Sequence, residues 1–319
     1  MSQIALFFAK LKSLSRRLKE RIEAILRLLI LPGFDKVPLY DVLIFFAKGI
    51  FKGALSIRAA AVAFNFFLAI FPFILFIFTL IPYIPIENFQ QTLMGLFEDI
   101  IPPDTFHEVE ETITEIVMRQ NTGLLSLSFI LTFIFSTNGI SAIMDGFNST
   151  WHSIDTKNWL QQRLSAIFLL VVLSIFVVLA ISLITMGGVS IHWMIARGWI
   201  ERGFTAQLLQ ILRWLVIVFL TFLSLSMLYY YAPARRKEYH FISPGSILAT
   251  ALFIFGTLAF NFYISNFSRY NALYGSIGTL IIFMMWLYFN AIILLIGFEL
   301  NASILLAKRE NRALEDIEN

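Results

Sequence analysis

The sequence contains no cysteine, which excludes disulfide bonds and cysteine-ligated metals. Charge is scarce too. Asp, Glu, Lys and Arg make up 14% of the 319 residues, where soluble domains carry about a quarter. Hydrophobic residues reach 58% and the mean hydropathy is +0.78, so a soluble globular chain is excluded and an integral membrane protein is indicated. Histidine is sparse and dispersed: His107, His152, His192 and His240 fall in four different loops. No HExxH, GxSxG or P-loop pattern occurs, and no EF-hand loop. No internal repeat is evident, so the inverted-repeat plan of many secondary transporters has no support. The N-terminus places apolar residues before its bases and lacks a small-x-small site, the reverse of a secretory signal, so no cleavage is expected.

What is present is a series of long apolar segments. They run over about 57–84, 123–144, 164–187, 208–231, 245–264 and 275–301. Each is long enough to cross a hydrocarbon core of about 30 Å as a helix. The predicted fold is therefore all-α: a polytopic membrane protein with six transmembrane helices. Pro72 lies inside the first span, Gly187-Gly188 closes the third, and Arg213 near one end of the fourth is placed to snorkel. Residues 4–31 predict an amphipathic interfacial helix, with Lys10, Lys12, Arg16, Arg17, Lys19 and Arg21 available to anionic headgroups. Its apolar face is continuous and no stacking aromatics accompany the bases, so lipid rather than nucleic acid is the expected partner. A shorter amphipathic piece follows at 39–52.

The chain divides into a basic cytoplasmic segment (1–52), a transmembrane domain (53–305) with an acidic external loop (86–122), and a charged tail (306–319). The loop suggests two short helices around Pro102-Pro103. Bases alternate with the spans. The N-terminus, Lys157, Arg163, Arg235–Lys237, Lys308, Arg309 and Arg312 fall on one side, against Arg119, Arg197, Arg202 and Arg269 on the other. The positive-inside rule then predicts that both termini are cytoplasmic. Carboxylates on that side, mainly Asp145, Asp155, Glu238 and Glu299, are too scattered for a two-metal hydrolase. No catalytic residue, metal or cofactor is predicted.

Polar residues at membrane depth are the remaining candidates. Arg58, Asn65, Asn138, Asn261, Tyr288, Asn290, Glu299 and Asn301 form the set. At 100° per residue, Arg58, Ala61, Asn65, Ala69, Pro72 and Thr79 share a stripe, as do Thr250, Thr257, Asn261, Ser265 and Ser268. In the last span Thr279, Asn290, Gly297 and Asn301 share one face, with Tyr288 and Glu299 nearly opposite. The stripes read either as a shared polar interior for an amphiphile or small polar solute, or as interhelical packing. Glu299 is expected to pair with Arg58 or Arg163 near the cytoplasmic boundary.

Three stretches carry a resemblance. They are Arg58-Ala59-Ala60-Ala61-Val62-Ala63-Phe64 through Phe71-Pro72, then Asn138-Gly139-Ile140 through Asn148 and Trp151 to Arg163. The third joins Tyr270, Tyr274-Gly275-Ser276, Trp286-Leu287-Tyr288 and Gly297-Phe298-Glu299-Leu300-Asn301-Ala302. Over roughly residues 40–305 the chain resembles the YihY/virulence factor BrkB family of bacterial inner-membrane proteins, once labelled ribonuclease BN. The resemblance implies six helices in the inner membrane, with family members associated with serum resistance or envelope lipids. The expectation is a non-enzymatic, transporter-like protein that binds or moves an amphiphilic envelope component such as a lipid. A scaffolding protein is the alternative, and a hydrolase stands third.

Overall fold

The computed structural model describes residues 20–21, 23–85, 89–100, 103–150, 153–154, 157–199, 203–234, 238–266 and 276–318. Of the expected interfacial helix, 20–21 and 23–28 are helical. Arg21 is exposed there, while Lys10, Lys12, Arg16, Arg17 and Lys19 lie outside the described residues.

Helix α1 (Leu39–Lys52) begins after Pro38 and ends at Gly53. Ala54 then adopts a left-handed conformation (φ 49°, ψ 40°) that turns the chain into α2 (Leu55–Leu80). Pro72 lies inside α2, and a short 3-10 turn, Ile81–Tyr83, finishes it. The acidic loop folds as α3 (Phe89–Ile100) and α4 (Pro103–Met118), the latter opening with proline where no intrahelical N–H is needed. Helix α5 (Thr122–Asn148) is capped by Asn121, whose side chain accepts from the Leu124 N–H at 2.9 Å. A two-residue hairpin follows, Ser149–Thr150 against Ser153–Ile154, with Ser149 opposite Ile154. Then come α6 (Trp159–Ala196), α7 (Phe204–Tyr231), α8 (Pro244–Asn266) and α9 (Ser276–Glu318).

Two boundaries differ from expectation. Helix α6 runs through Gly187-Gly188 to Ala196. Glycine inside a helix costs only about 1 kcal/mol relative to alanine, and no proline follows to break the ladder. The true stop is Gly198, at φ 73°, whose N–H reaches back to the Ile195 carbonyl. Helix α9 does not end near 301 either. Past Gly297 it meets no glycine or proline, and its 43 residues span about 64 Å, so the charged tail continues as helix beyond the membrane.

Six helices are long and apolar enough to cross a membrane: α2 with its 3-10 turn, α5, α6, α7, α8 and α9. They pack as a ring in the order α2, α5, α6, α7, α8, α9 and back to α2, with α9 also touching α5 and α1. The core lies towards one end of this ring. Ala59 and Val62 of α2, Met144 and Phe147 of α5, Leu169 of α6, Tyr229 of α7, Ala249 of α8 and Leu295 and Phe298 of α9 all belong to it. That end carries Lys157, Arg163, Lys308, Arg309 and Arg312, and is called the basic end below. A second cluster, with Phe34, Val37 and Val42 against Ile304 and Ala307, docks the 31–38 segment and α1 on α9. At the opposite end Thr79 Oγ1 meets Ser128 Oγ at 3.2 Å, joining α2 to α5.

Candidate functional site

The basic end is built around a buried ion pair. Arg58, one turn into α2, places Nη2 3.1 Å from Glu299 Oε2 on α9. Its Nη1 donates to the Gly146 carbonyl of α5 at 2.8 Å. Both side chains are buried within the protein. Glycine makes the room: a Cβ at Gly49 of α1 would lie 2.0 Å from Glu299 Oε1, and one at Gly53 would lie 2.9 Å from Arg58 Nη2. One guanidinium thus binds α2, α5 and α9, and the carboxylate fits against α1. Taking two charges out of water costs several kcal/mol per ion, so such a pair is a better device for fixing register than for adding net stability.

The opposite face of α9 makes different contacts. Asn301 Oδ1 accepts from the Gly245 N–H at 2.8 Å, and Asn301 Nδ2 donates to Ser243 Oγ at 2.9 Å. A Cβ at Gly245 would lie 2.1 Å from the Gly297 carbonyl, so the α8–α9 crossing is backbone against backbone. The Tyr229 hydroxyl donates to the Leu294 carbonyl at 2.7 Å. Phe298 stacks on Phe147 with ring centroids 4.1 Å apart, tying α9 to α5.

The other polar candidates disperse. Arg163 donates from Nη1 to Asn138 Oδ1 at 2.7 Å, so in this structure it serves α5, and Arg58 is the base beside Glu299. Asn65 and Asn290 donate back to their own helices, to the carbonyls of Ala61 (2.9 Å) and Trp286 (2.7 Å). Asn261 is exposed, as are Thr257 and Ser265, and only Thr250 of that stripe is buried. Ser268 lies outside the described residues. Tyr288 is half-buried against the core. On α2 the buried face holds Arg58, Ala59, Val62, Ala63, Ala69 and Thr79, while Ala61 is exposed and Asn65 half-buried. The contact face is rotated by about one residue from the expected stripe. The ion pair sets the orientation, and the apolar neighbours of Arg58 follow it inward.

The seam between α6 and α7 holds two cavities that sequence reasoning missed. At the basic end a space of 560 Å³ is lined by Lys157, Gln161, Leu164, Ser165, Phe168, Tyr231 and Ala234. Lys157 Nζ donates there to the Tyr231 carbonyl (2.9 Å) and Ser165 Oγ (3.3 Å). Towards the other end a second space of 560 Å³ includes Leu179, Ser182, Met186, Gly187, Leu212 and Arg213 among its walls. Arg213 was the one available signal, a lone base within a long apolar run. Neither cavity is lined by Asn65, Asn261 or Asn290.

Comparison with known proteins places the chain. The family model described as virulence factor BrkB matches residues 48–317. The chain belongs to the virulence factor BrkB family. Among curated relatives of this BrkB-family chain, the putative ribonuclease-like protein YfkH of Bacillus subtilis is 30% identical over 79% of this chain and 90% of its own length. A UPF0761 membrane protein of Idiomarina loihiensis is 24% identical over 68% of this chain and 72% of its own. Another, from Psychromonas ingrahamii, is 26% identical over 85% and 90%. No solved structure matches the chain. The family match takes in the whole ion-pair knot and both α6–α7 cavities.

Proposed function

We propose that this BrkB-family membrane protein lies in the bacterial inner membrane with both termini cytoplasmic, and that it binds an amphiphilic envelope component such as a lipid and moves it along the α6–α7 seam. The supporting observation is the pair of cavities on one helix pair. Among the described residues each pairs an apolar wall with one cation, Leu164 and Phe168 with Lys157 at the basic end, and Leu179, Leu212 and Val216 with Arg213 towards the other. Phe168 of the first and Leu179 of the second are eleven residues apart on α6, about 16 Å along the axis, so the two lie at different membrane depths. An amphiphile needs an apolar wall for its chain and a charged or polar contact for its headgroup, and the seam offers both twice.

The test is lipid scrambling. Full-length protein is reconstituted into phosphatidylethanolamine–phosphatidylglycerol vesicles carrying a trace fluorescent phospholipid, and an impermeant quencher is added outside. Transport predicts that protein brings inner-leaflet label within reach. Vesicles that quench like protein-free controls would sink the reading. They would favour the scaffolding alternative, which draws support from the locked Arg58–Glu299 knot. The hydrolase reading rests on the ribonuclease BN label once given to the family and on the printed name of YfkH. Among the described residues, no three His, Asp or Glu side chains gather closely enough to hold a metal ion.

A further inference from the structure

We infer that the outer α6–α7 groove is a binding site for a net-anionic phospholipid, with the lipid phosphate on Arg213 and an acyl chain along the apolar wall. This deepens the proposed function by naming a substrate class, and it rests on that reading for its place in transport.

The argument begins with charge matching. The other bases engaged within the helix bundle meet oxygen atoms of the protein. Arg58 meets Glu299 and the Gly146 carbonyl, Arg163 meets Asn138, and Lys157 meets a carbonyl and a hydroxyl. Arg213 does not. Among the described residues no carboxylate pairs with it, and its guanidinium carbon lies 5.5 Å from the centroid of the Trp214 ring. Its Nε, like that of Arg58, is buried without a hydrogen-bond partner, but the two terminal nitrogens of Arg58 are matched by protein oxygens. Arg213 stands six residues, about 9 Å along the axis, inside the apolar span that begins at Gln207, and with its Nε buried against α6 its stem lies in the groove instead of extending to the near interface.

Position comes from Gly187. A Cβ there would meet Arg213 Cδ at 2.7 Å, so the arginine stem rests in the notch left by the missing side chain. The stem crosses from α7 onto α6, and the guanidinium is held over the groove instead of swinging freely. Among the described residues the other walls offer no competing counter-charge: Leu179, Leu183, Met194, Leu209, Leu212 and Val216 are apolar. The Ser190 hydroxyl is spent on the Met186 carbonyl of its own helix at 2.8 Å. A space of 560 Å³ suits a phosphate and the first part of one chain, with the remainder of the lipid in the bilayer. An arginine fork grips phosphate oxygens in paired hydrogen bonds. A zwitterionic lipid already balances its phosphate internally, so a net-anionic headgroup gains more from Arg213.

Native mass spectrometry of the full-length protein, delipidated in detergent and offered phosphatidylglycerol or phosphatidylcholine at equal concentration, tests this. Wild type is expected to retain phosphatidylglycerol several-fold better. R213Q should bring the two lipids to parity, and R213K should keep most of the preference. M186W, which fills the groove with Arg213 intact, should also lower phosphatidylglycerol retention. R213Q with undiminished preference overturns the proposal, and so does M186W that binds like wild type. If R213Q fails to fold, M186W decides alone. Scrambling that fails while phosphatidylglycerol preference holds removes transport and leaves this site. Lost preference with scrambling intact does the reverse.

Discussion

The α2–α5–α9 side of the ring and the α6–α7 hairpin are both apolar helices, yet they are built for different surroundings. In the most apolar stretch of α5 33% of residues are buried inside the chain, against 6% for α6. The first side is held by groups that require one partner in one place. Arg58 faces Glu299 and Gly146, Phe298 stacks on Phe147, and Thr79 meets Ser128. The hairpin shows Val171, Ile175, Val178 and Ile181 outward and keeps open space along its seam. Lipid tails are as apolar as leucine, so an outward leucine or valine contributes little to holding helices together in a membrane. Specificity must come from small residues, polar pairs and shape, and these are concentrated on the first side. The lesson is that apolarity places a helix in the bilayer, while the scarce polar contacts decide where the bundle is rigid and where it is open.

Five expected outcomes would sharpen or break this contrast. The largest is Glu299→Ala, which leaves Arg58 buried without its counter-charge and should lower stability by about 3–5 kcal/mol in detergent unfolding. The double variant with Arg58→Met should recover much of that loss. Next, Gly49→Ala pushes a Cβ against Glu299 Oε1 and should cost about 1–3 kcal/mol in the same assay. An unchanged midpoint would mean that α1 does not confine the carboxylate. Third, Ala54→Gly relieves the left-handed conformation between α1 and α2, and should raise stability by up to about 1 kcal/mol.

The fourth concerns pH at the edge of the rigid side. Asp35 accepts from Lys308 Nζ at 2.5 Å, with His240 Nε2 3.3 Å from its other oxygen. Partial burial pushes its carboxyl up, but the hydrogen bond and charge of Lys308, with the charge of His240, outweigh this and hold it below the usual range. A folded value below the unfolded one stabilises above about pH 4 and is lost as pH falls through the lowered value. Hydrogen exchange in residues 31–38 should therefore accelerate only under acid conditions, by the equivalent of less than about 1 kcal/mol, and Asp35→Asn should abolish that step. The smallest effect is expected on the hairpin. Val178→Ala, on the outward face of α6, should move stability by less than about 0.5 kcal/mol. A loss as large as that at Gly49 would show that α6 packs against something beyond this chain.

Much of this was legible from residues alone. Six apolar runs imply six spanning helices because an unsatisfied backbone cannot cross lipid in any open form. The acidic loop holds two helices, one ending at Ile100 and the next opening at Pro103, as expected. The candidate site was less legible. Opposite charges in the first and last spans are 241 positions apart, and spacing along the chain does not choose between Arg58 and Arg163 as the neighbour of Glu299. The stripes on α2 and α8 were less informative still. An asparagine or threonine inside a helix satisfies itself on the carbonyl four residues back, as Asn65 and Thr257 do, so a polar stripe does not identify a contact face. The α6–α7 cavities have no periodic signature, since they arise where two outward-facing helices fail to close.

By itself the sequence determined the solvent. Its apolar runs and scarce charge demand a bilayer, and its uneven bases predict which end faces the cytoplasm. It also carried the glycines, because a position without a side chain is written in the residue type. Only tertiary structure decided what those glycines make room for: Gly49 for a carboxylate, Gly245 for a crossing backbone, Gly187 for the stem of Arg213. The physical reason is one of range. Transfer from water to lipid sums over residues one at a time and can be read along a chain, whereas an ion pair or a groove exists only when distant segments come within a few ångströms of each other.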